Sequence, residues 1–293
     1  MGPETTASLL GLLAATGYGL GDFIGGMVSR RVHFAIVSVI AGASSLVVMA
    51  IVVLLLLPAD STPSALLWGA VSGVGTALGT LALFRGLSRG RMGVVAPISA
   101  LTAAAIPVIV GVALGERPAL IAWLGVILAV PAIWLVSAAE DPDHPAVGGP
   151  NAGRLATSVT DGLLAGSAFA LIFIGLGLAG DDSGLWPVLA NEFVALVILG
   201  IAFIAMLPRI ERRSPAALDV SGATAIGILG AGASVAYLLA TSAGLLSIVV
   251  VLTALYPAVT VVLAVLVTHE SIGRRQAVGL GLAGLAIALI VLA

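Results

Sequence analysis

The sequence predicts an all-α polytopic membrane protein whose ten transmembrane helices form two inverted five-helix repeats. Its composition, the spacing of its apolar runs and an internal duplication support this prediction. Hydrophobic residues occupy 60% of the 293 positions, charged residues only 9%, and the mean hydropathy is +1.22. These values lie far outside the range of soluble domains. The lipid bilayer is therefore an expected partner, and nucleic acid is not.

Apolar runs long enough to cross about 30 Å of hydrocarbon follow one another along the whole chain. Charged residues, prolines and glycines separate them, and a polar segment at 139–156 interrupts the series. We therefore predict a first repeat at 1–138, a linker at 139–156 and a second repeat at 157–293. The ten predicted spans are 8–27, 34–57, 64–87, 93–114, 119–138, 157–179, 185–207, 219–242, 247–268 and 274–292.

One stretch occurs twice and anchors the duplication. Residues 94–116 and 248–270 are both apolar, both contain proline and both end in glutamate. The same numbering offset also pairs Ser88 with Ser242 and Gly125 with Gly279. Because each copy has an odd number of spans, the second copy must enter the membrane from the side opposite to the first.

Arginine placement orients the predicted spans. With the ten spans as given, every arginine except Arg117 falls on one side of the membrane. Basic residues favour cytoplasmic loops. We therefore expect both termini to be extracytoplasmic, in a multi-pass protein of the cytoplasmic (inner) membrane.

Small residues, prolines and glutamates at helix ends make the chain similar to a known family. The segment YGLGDFIGG at 18–26, followed by Arg30 and Arg31, and the two proline-containing helices closed by Glu116 and Glu270 carry the likeness. The chain resembles the EamA-type branch of the drug/metabolite transporter (DMT) superfamily. The resemblance implies ten helices, a central cavity lined mainly by helices 1, 3, 4, 6, 8 and 9, and efflux of metabolites or drugs. One departure is that Pro257 stands opposite Ala103.

Polar residues inside the predicted spans are the candidates for binding a solute or coupling its movement to protons. Tyr18 and Asp22 lie one turn apart on one face of the first helix, and Tyr256 is near the centre of the ninth. The hydroxyl of each tyrosine needs either a hydrogen-bond partner within the bundle or a contact with the solute. Burial among apolar residues disfavours a charged carboxylate, so Asp22 can serve as a proton carrier unless Arg30 or Arg31 pairs with it. A counter-charge for a cationic solute is the alternative. Glu192 is a further acid within a span, as a coupling group or a hydrogen-bonded structural one.

Prolines in the duplicated stretch predict irregular backbone near the middle of the membrane. Pro97, Pro107 and Pro257 each lack a backbone donor and should bend or open the fourth and ninth helices. Four hydroxyl residues near these prolines are further substrate candidates, namely Ser99, Thr102, Thr253 and Thr260.

The remaining charged groups favour local structural roles. Glu116 and Glu270 are expected to cap the helix that follows each of them, and Asp161 and Asp219 to cap the sixth and eighth helices. Arg85 is expected to extend its guanidinium toward the membrane surface, with attraction of an anionic solute as the alternative.

No residue pattern predicts catalysis, a cofactor or a metal site. The chain has no cysteine and only three histidines, none of them at a helix centre. A secondary transporter of a small-molecule solute, with protons as a candidate coupling partner, is the leading hypothesis. An intramembrane enzyme acting on lipid or peptide and a passive channel are the alternatives.

Overall fold

The computed structural model describes residues 2–29, 31–56, 61–89, 92–137, 152–180, 184–210, 216–268 and 273–292. Within these ranges the chain is helical, with eleven α-helices and no strand. The helix bounds are α1 Pro3–Ser29, α2 Phe34–Leu56, α3 Pro63–Arg89, α4 Met92–Ala113, α5 Leu120–Ser137, α6 Ala152–Gly177, α7 Trp186–Met206, α8 Ala217–Ala243, α9 Leu246–Thr253, α10 Tyr256–Thr268 and α11 Arg274–Val291.

Length and composition make seven stretches of these helices suitable for crossing a membrane. One of them, Leu246–Val267, includes both α9 and α10. The described parts of α4 and α5 contribute shorter apolar helices, Ile98–Ala113 and Leu120–Val136. The protein is thus a multi-pass membrane protein. In addition, α6 begins at Ala152, inside the predicted linker at 139–156.

Each major contact between a helix of one half and a helix of the other has a counterpart, in which the corresponding helices of the two halves have exchanged places. Helix α1 packs against α8 as α3 packs against α6, and α2 packs against α8 as α7 packs against α3. Helix α4 lies along α6, while α9 and α10 lie along α1. The fifth helix of each half, α5 and α11, pack against each other. The two halves are therefore interleaved around a shared centre.

The contact between α5 and α11 gives the relative direction of these corresponding helices. A Cβ atom at Gly125 would lie 2.9 Å from the Ala286 carbonyl oxygen, near the end of α11. A Cβ atom at Gly279, near the start of α11, would lie 2.7 Å from the Val136 nitrogen at the end of α5. The two helices therefore run antiparallel, as corresponding helices of an inverted repeat would.

Glycine-mediated contacts bring several helix backbones very close together. A Cβ atom at Gly69 would lie 2.8 Å from the Pro187 Cα atom, and one at Gly73 would lie 3.1 Å from the Asn191 Cα atom. Because these two glycines are four residues apart, they form one smooth strip on α3 along which α7 packs.

The fourth and ninth spans differ in continuity. Helix α9 ends at Thr253 and α10 begins at Tyr256, so the chain leaves the helix just before Pro257. Proline lacks the N–H that would bond to the Thr253 carbonyl, four residues earlier. This missing donor accounts for the interruption.

Helix α4 is not opened by its prolines. Pro97 and Pro107 do not open the helix, because α4 is continuous from Met92 to Ala113, and a bend at either proline stays a prediction. Gly162 and Gly166 let α6 approach α4 closely between Val95 and Thr102, the stretch that contains Pro97. Neighbouring helices allow a membrane helix to keep its course through a proline.

Candidate functional site

Tyr18 lies where α1, α6 and α8 meet. Its hydroxyl forms a 3.0 Å hydrogen bond with the Ser234 hydroxyl of α8. Its ring meets the Phe173 ring of α6 edge-on, with 6.5 Å between the ring centroids. A residue of the first half thus contacts two helices of the second half, so Tyr18 lies at the boundary between them.

Asp22 lies one turn further along α1 and is exposed. Gly11, Ala15, Tyr18 and Asp22 follow at steps of three or four residues and therefore share one helix face. Gly11 on this face packs against Leu252, which makes it the inner face of α1. An exposed carboxylate on an inner face means that the space in front of it is open.

The opposite face of α1 carries exposed apolar side chains, including Leu9 at 47% and Leu13 at 58% exposure. These side chains have the character of a lipid-facing surface. Asp22 is therefore turned away from lipid, toward the interior of the bundle. Across that interior it is within electrostatic range of Tyr256, at the start of α10.

Arg31 does not pair with Asp22. Its guanidinium lies 3.9 Å from an Asp219 carboxylate oxygen at the start of α8. Asp219 also accepts a 3.2 Å hydrogen bond from the Ala216 N–H, as a helix cap does. Arg30 lies outside the described residues. Within the described part of the chain, no arginine neutralises Asp22.

Glu192 belongs to a buried polar cluster formed by α2, α3 and α7. Asn191 is 1% exposed and Glu192 is 6% exposed. The Asn191 amide group donates a 3.1 Å hydrogen bond to the Glu192 carboxylate, and the Ser45 hydroxyl bonds to Glu192 as well. The Ser72 and Thr76 hydroxyls donate to the Asn191 carbonyl oxygen at 3.0 and 2.8 Å.

This buried cluster satisfies Glu192 from two sides, which a hydrogen-bonded structural acid requires. Glu192 is nevertheless within electrostatic range of Tyr18. The cluster therefore lies beside the Tyr18 site, not apart from it.

The candidate hydroxyl residues have different surroundings. Thr253, fully buried, donates a 3.4 Å hydrogen bond to the Gly11 carbonyl, and Thr260 donates at 3.0 Å to the Gly19 carbonyl. Both fasten the broken ninth span to α1. Thr102 packs against Gly166, and the buried Ser99 hydroxyl has no hydrogen-bond partner within the described structure.

Two charged groups assigned to local roles instead connect distant helices. Arg85 donates two hydrogen bonds to one Asp161 oxygen, at 3.1 and 2.6 Å, and so ties α3 to α6. The expectation of helix capping for Asp161 is therefore wrong. Arg85 keeps 46% of its side chain exposed while it pairs with Asp161, so the extension of its guanidinium toward the membrane surface stays a prediction. Asp161 lies well inside α6, which begins at Ala152, so no free helix N–H is near it.

Glu116 caps a helix, although not the one that follows it. Its carboxylate accepts hydrogen bonds from the Leu246 and Ser247 N–H groups at 2.6 and 2.9 Å. These donors lie in the first turn of α9, in the other half of the chain. The expectation that Glu116 caps α5 is wrong, and Glu270 lies outside the described residues.

Sequence reasoning missed three residues of the site. Ser234 and Asn191 are common polar residues in apolar helices, and nothing local marks them as partners of Tyr18 and Glu192. Tyr237 is fully buried, and its hydroxyl donates to the Phe173 carbonyl at 3.0 Å. Its ring lies 5.0 Å from the Phe173 ring, so Phe173 lies between two tyrosines.

The site combines aromatic rings, hydroxyl groups and one exposed carboxylate at the boundary between the halves. Such a set can bind a small solute and exchange a proton with it or with water. In the described part of the chain, no three His, Asp or Glu side chains lie close enough together to hold a metal ion.

Comparison with known proteins agrees with this arrangement. A model described as the EamA-like transporter family matches residues 5–138 and 159–292. The chain therefore belongs to the EamA-like transporter family, and with it to the DMT superfamily. Its two matched segments correspond to the two halves seen in the fold.

A solved structure titled "Crystal structure of protein" has a TM-score of 0.78 with this chain at 14% sequence identity. The alignment covers 97% of this chain and 95% of that one, so the whole fold is shared. No curated protein matches the chain.

Proposed function

We propose that this protein is a secondary transporter that exports small metabolites or drugs across the cytoplasmic membrane. Ten spans in two inverted five-helix repeats surround one central site, which opens to either side in turn. The antiparallel packing of α5 and α11 supports the inverted arrangement. The proposal extends the family's general transport function to a mechanism, a direction and a cellular membrane.

The observation that carries the proposal is the position of Asp22. It is an exposed acid on the inner face of α1, where we infer an opening in the bundle, and it lies one turn from Tyr18 at the boundary of the repeats. An ionisable group inside a membrane protein is costly unless it faces water or a partner. A solute or proton in that opening supplies the partner.

Protons are the proposed coupling ion. Among the described arginines none pairs with Asp22, so the carboxylate is available to bind and release a proton. A proton bound from the outside and released to the cytoplasm would drive a solute in the opposite direction.

Flux through purified protein in liposomes tests the function. A defined set of radiolabelled amino acids, amines and nucleosides is loaded inside, and efflux is followed with and without an imposed pH gradient. We expect at least one solute to leave faster when the outside is acidic, and protein-free liposomes to show no such effect. Lipid or peptide hydrolysis without solute flux would favour an enzyme, and flux insensitive to any gradient would favour a channel.

The inverted topology makes a separate prediction about the termini. Both should be extracytoplasmic, because the arginines then face the cytoplasm. A periplasm-active reporter fused after Ala293 should be active and a cytoplasm-active one silent. The reverse pattern would overturn the proposed orientation.

A further inference from the structure

The turn after α4 aims one carboxylate at the other half of the protein. The Gly115 N–H bonds to the Val112 carbonyl at 3.0 Å, and the Glu116 N–H bonds to the Gly111 carbonyl at 3.1 Å. This is the hydrogen-bond pattern of a Schellman helix end. Gly115 has a φ of 98°, a conformation that glycine adopts without strain. The turn thereby reverses the chain and directs Glu116 back along α4.

The target of Glu116 is the first turn of α9. N–H groups there have no acceptor within their own helix, and the helix dipole favours a negative charge. Each carboxylate oxygen accepts one of them, Oε1 from Leu246 and Oε2 from Ser247. Hydrogen bonds to a charged acceptor are stronger than neutral ones. Since Glu116 and Leu246 are 130 residues apart, the interaction joins the two repeats.

Gly111 leaves the space that this carboxylate occupies. A Cβ atom at Gly111 would collide with Glu116 Oε2 and lie 3.3 Å from the Ser247 nitrogen. Gly111, Gly115 and Glu116 therefore form one unit that presents the carboxylate to α9.

The end of the bundle around this contact is closed. Leu246 fills a notch at Gly177, where a Cβ atom would lie 2.6 Å from Leu246 Cδ1. At Gly244 a Cβ atom would lie 2.5 Å from the Ala7 Cβ atom. Helix α1 thus contacts the turn between α8 and α9, and α6 contacts the start of α9, at the same end as Glu116.

The other end of the same interior is open. Asp22 is exposed there, eleven residues beyond Gly11, or about 16 Å along the helix at 1.5 Å per residue. We therefore call the Glu116 end closed, because its helices are in close contact, and the Asp22 end open, because its carboxylate is exposed.

We propose that Glu116 is a positioning residue that holds the extracytoplasmic gate closed. Its carboxylate keeps α9 against the first repeat while the site faces the cytoplasm, and both hydrogen bonds must break before the site opens outward. This inference rests on the proposed transport function and topology. Its test, however, does not depend on finding a solute.

The absence of cysteine from the chain permits a direct accessibility test. Ser8→Cys places a nearly isosteric thiol, the closed-end reporter, on α1 where Ser8 is 4% exposed. Gly26→Cys places a second thiol, the open-end reporter, beyond Asp22, where a Cβ atom meets nothing within 4 Å. A membrane-impermeant maleimide is applied from either side of sealed membrane vesicles of known orientation.

Weakening the contact between Glu116 and α9 should make the closed end more accessible from outside and the open end less accessible from the cytoplasmic side. We expect Glu116→Gln and Glu116→Ala to raise labelling of the closed-end reporter from outside about tenfold, the factor that loss of one charge-assisted hydrogen bond gives. Labelling of the open-end reporter from the cytoplasmic side should fall. Gly111→Ala should have the same effect, although the carboxylate itself is retained.

Two control variants separate the gate from general loosening. Gln276→Ala removes a cap that acts only within α11, where the Gly273 N–H donates to the Gln276 side chain at 3.2 Å. Gly284→Ala adds a methyl group where nothing lies within 4 Å. Neither should change the labelling of the closed-end reporter.

Unchanged labelling of the closed-end reporter in folded Glu116→Gln and Gly111→Ala proteins would overturn the gate proposal, whether or not solute flux is found. Increased labelling in a protein that moves no solute would support the gate and reject the transport function. The two proposals therefore fail separately.

Discussion

Asp22→Asn is expected to reduce the pH-driven component of solute efflux at least about tenfold. The amide has the shape of the carboxylate but cannot carry a proton at neutral pH. Asp22 is exposed and has no described ion-pair partner, so the exchange should leave folding nearly unchanged. Efflux from proteoliposomes with and without a pH gradient gives the measurement.

The same variant separates the two roles open to Asp22. Solute binding that survives while coupling is lost indicates a proton carrier, and lost binding indicates a counter-charge for a cationic solute. Glu4→Gln is the matched control, because Glu4 is an exposed acid in the first turn of the same helix. Undiminished pH-driven efflux in folded Asp22→Asn protein would reject both roles and direct attention to Glu192.

Gly69→Ala is expected to cause a large loss of stability for a single methyl group. The new Cβ atom would lie 2.8 Å from Pro187 Cα and 2.9 Å from Ala190 Cβ, and it would also meet the Pro187 carbonyl. These neighbours are backbone or firmly attached atoms that cannot rotate away. Helix α7 must therefore move, at a cost of about 1 to 3 kcal/mol for overpacking.

Thermal unfolding in detergent measures this effect, as a fall of several degrees in the midpoint for Gly69→Ala. Gly284→Ala is the control, since its methyl group meets nothing within 4 Å and alanine favours the helix over glycine by up to about 1 kcal/mol. Its midpoint should stay the same or rise. Equal midpoints for the two variants would show that the α3–α7 contact is looser than these distances indicate.

Features with a local physical cause were predictable from the sequence. The length of the apolar runs predicted the helices, because the thickness of a bilayer sets the length of a membrane span. The three- and four-residue steps of a helix placed Tyr18 and Asp22 on one face, and that face proved to be the inner one. Pro257 indicated irregular backbone in the ninth span, where α9 and α10 are in fact separate helices.

Features that depend on distant neighbours were not predictable from the sequence. A glutamate at a turn has the local signature of a cap for the next helix. The Glu116 carboxylate instead accepts a hydrogen bond from the Leu246 N–H, 130 residues away. Arg85 and Asp161 are 76 residues apart and resemble two separate end groups until α3 packs on α6. Pro97 and Pro107 lie in a continuous helix, and α6 packs closely on it around Pro97.

Counterflow is the most direct test of a single site that opens to each side in turn. Proteoliposomes are loaded with a high concentration of an unlabelled solute that the flux assay has identified, and the labelled solute is added outside in trace amount. Alternating access predicts that the label accumulates transiently above its external concentration, because the unlabelled solute inside competes with the label for the site and slows its exit. A label that only equilibrates, at a rate unaffected by internal solute, would contradict the account.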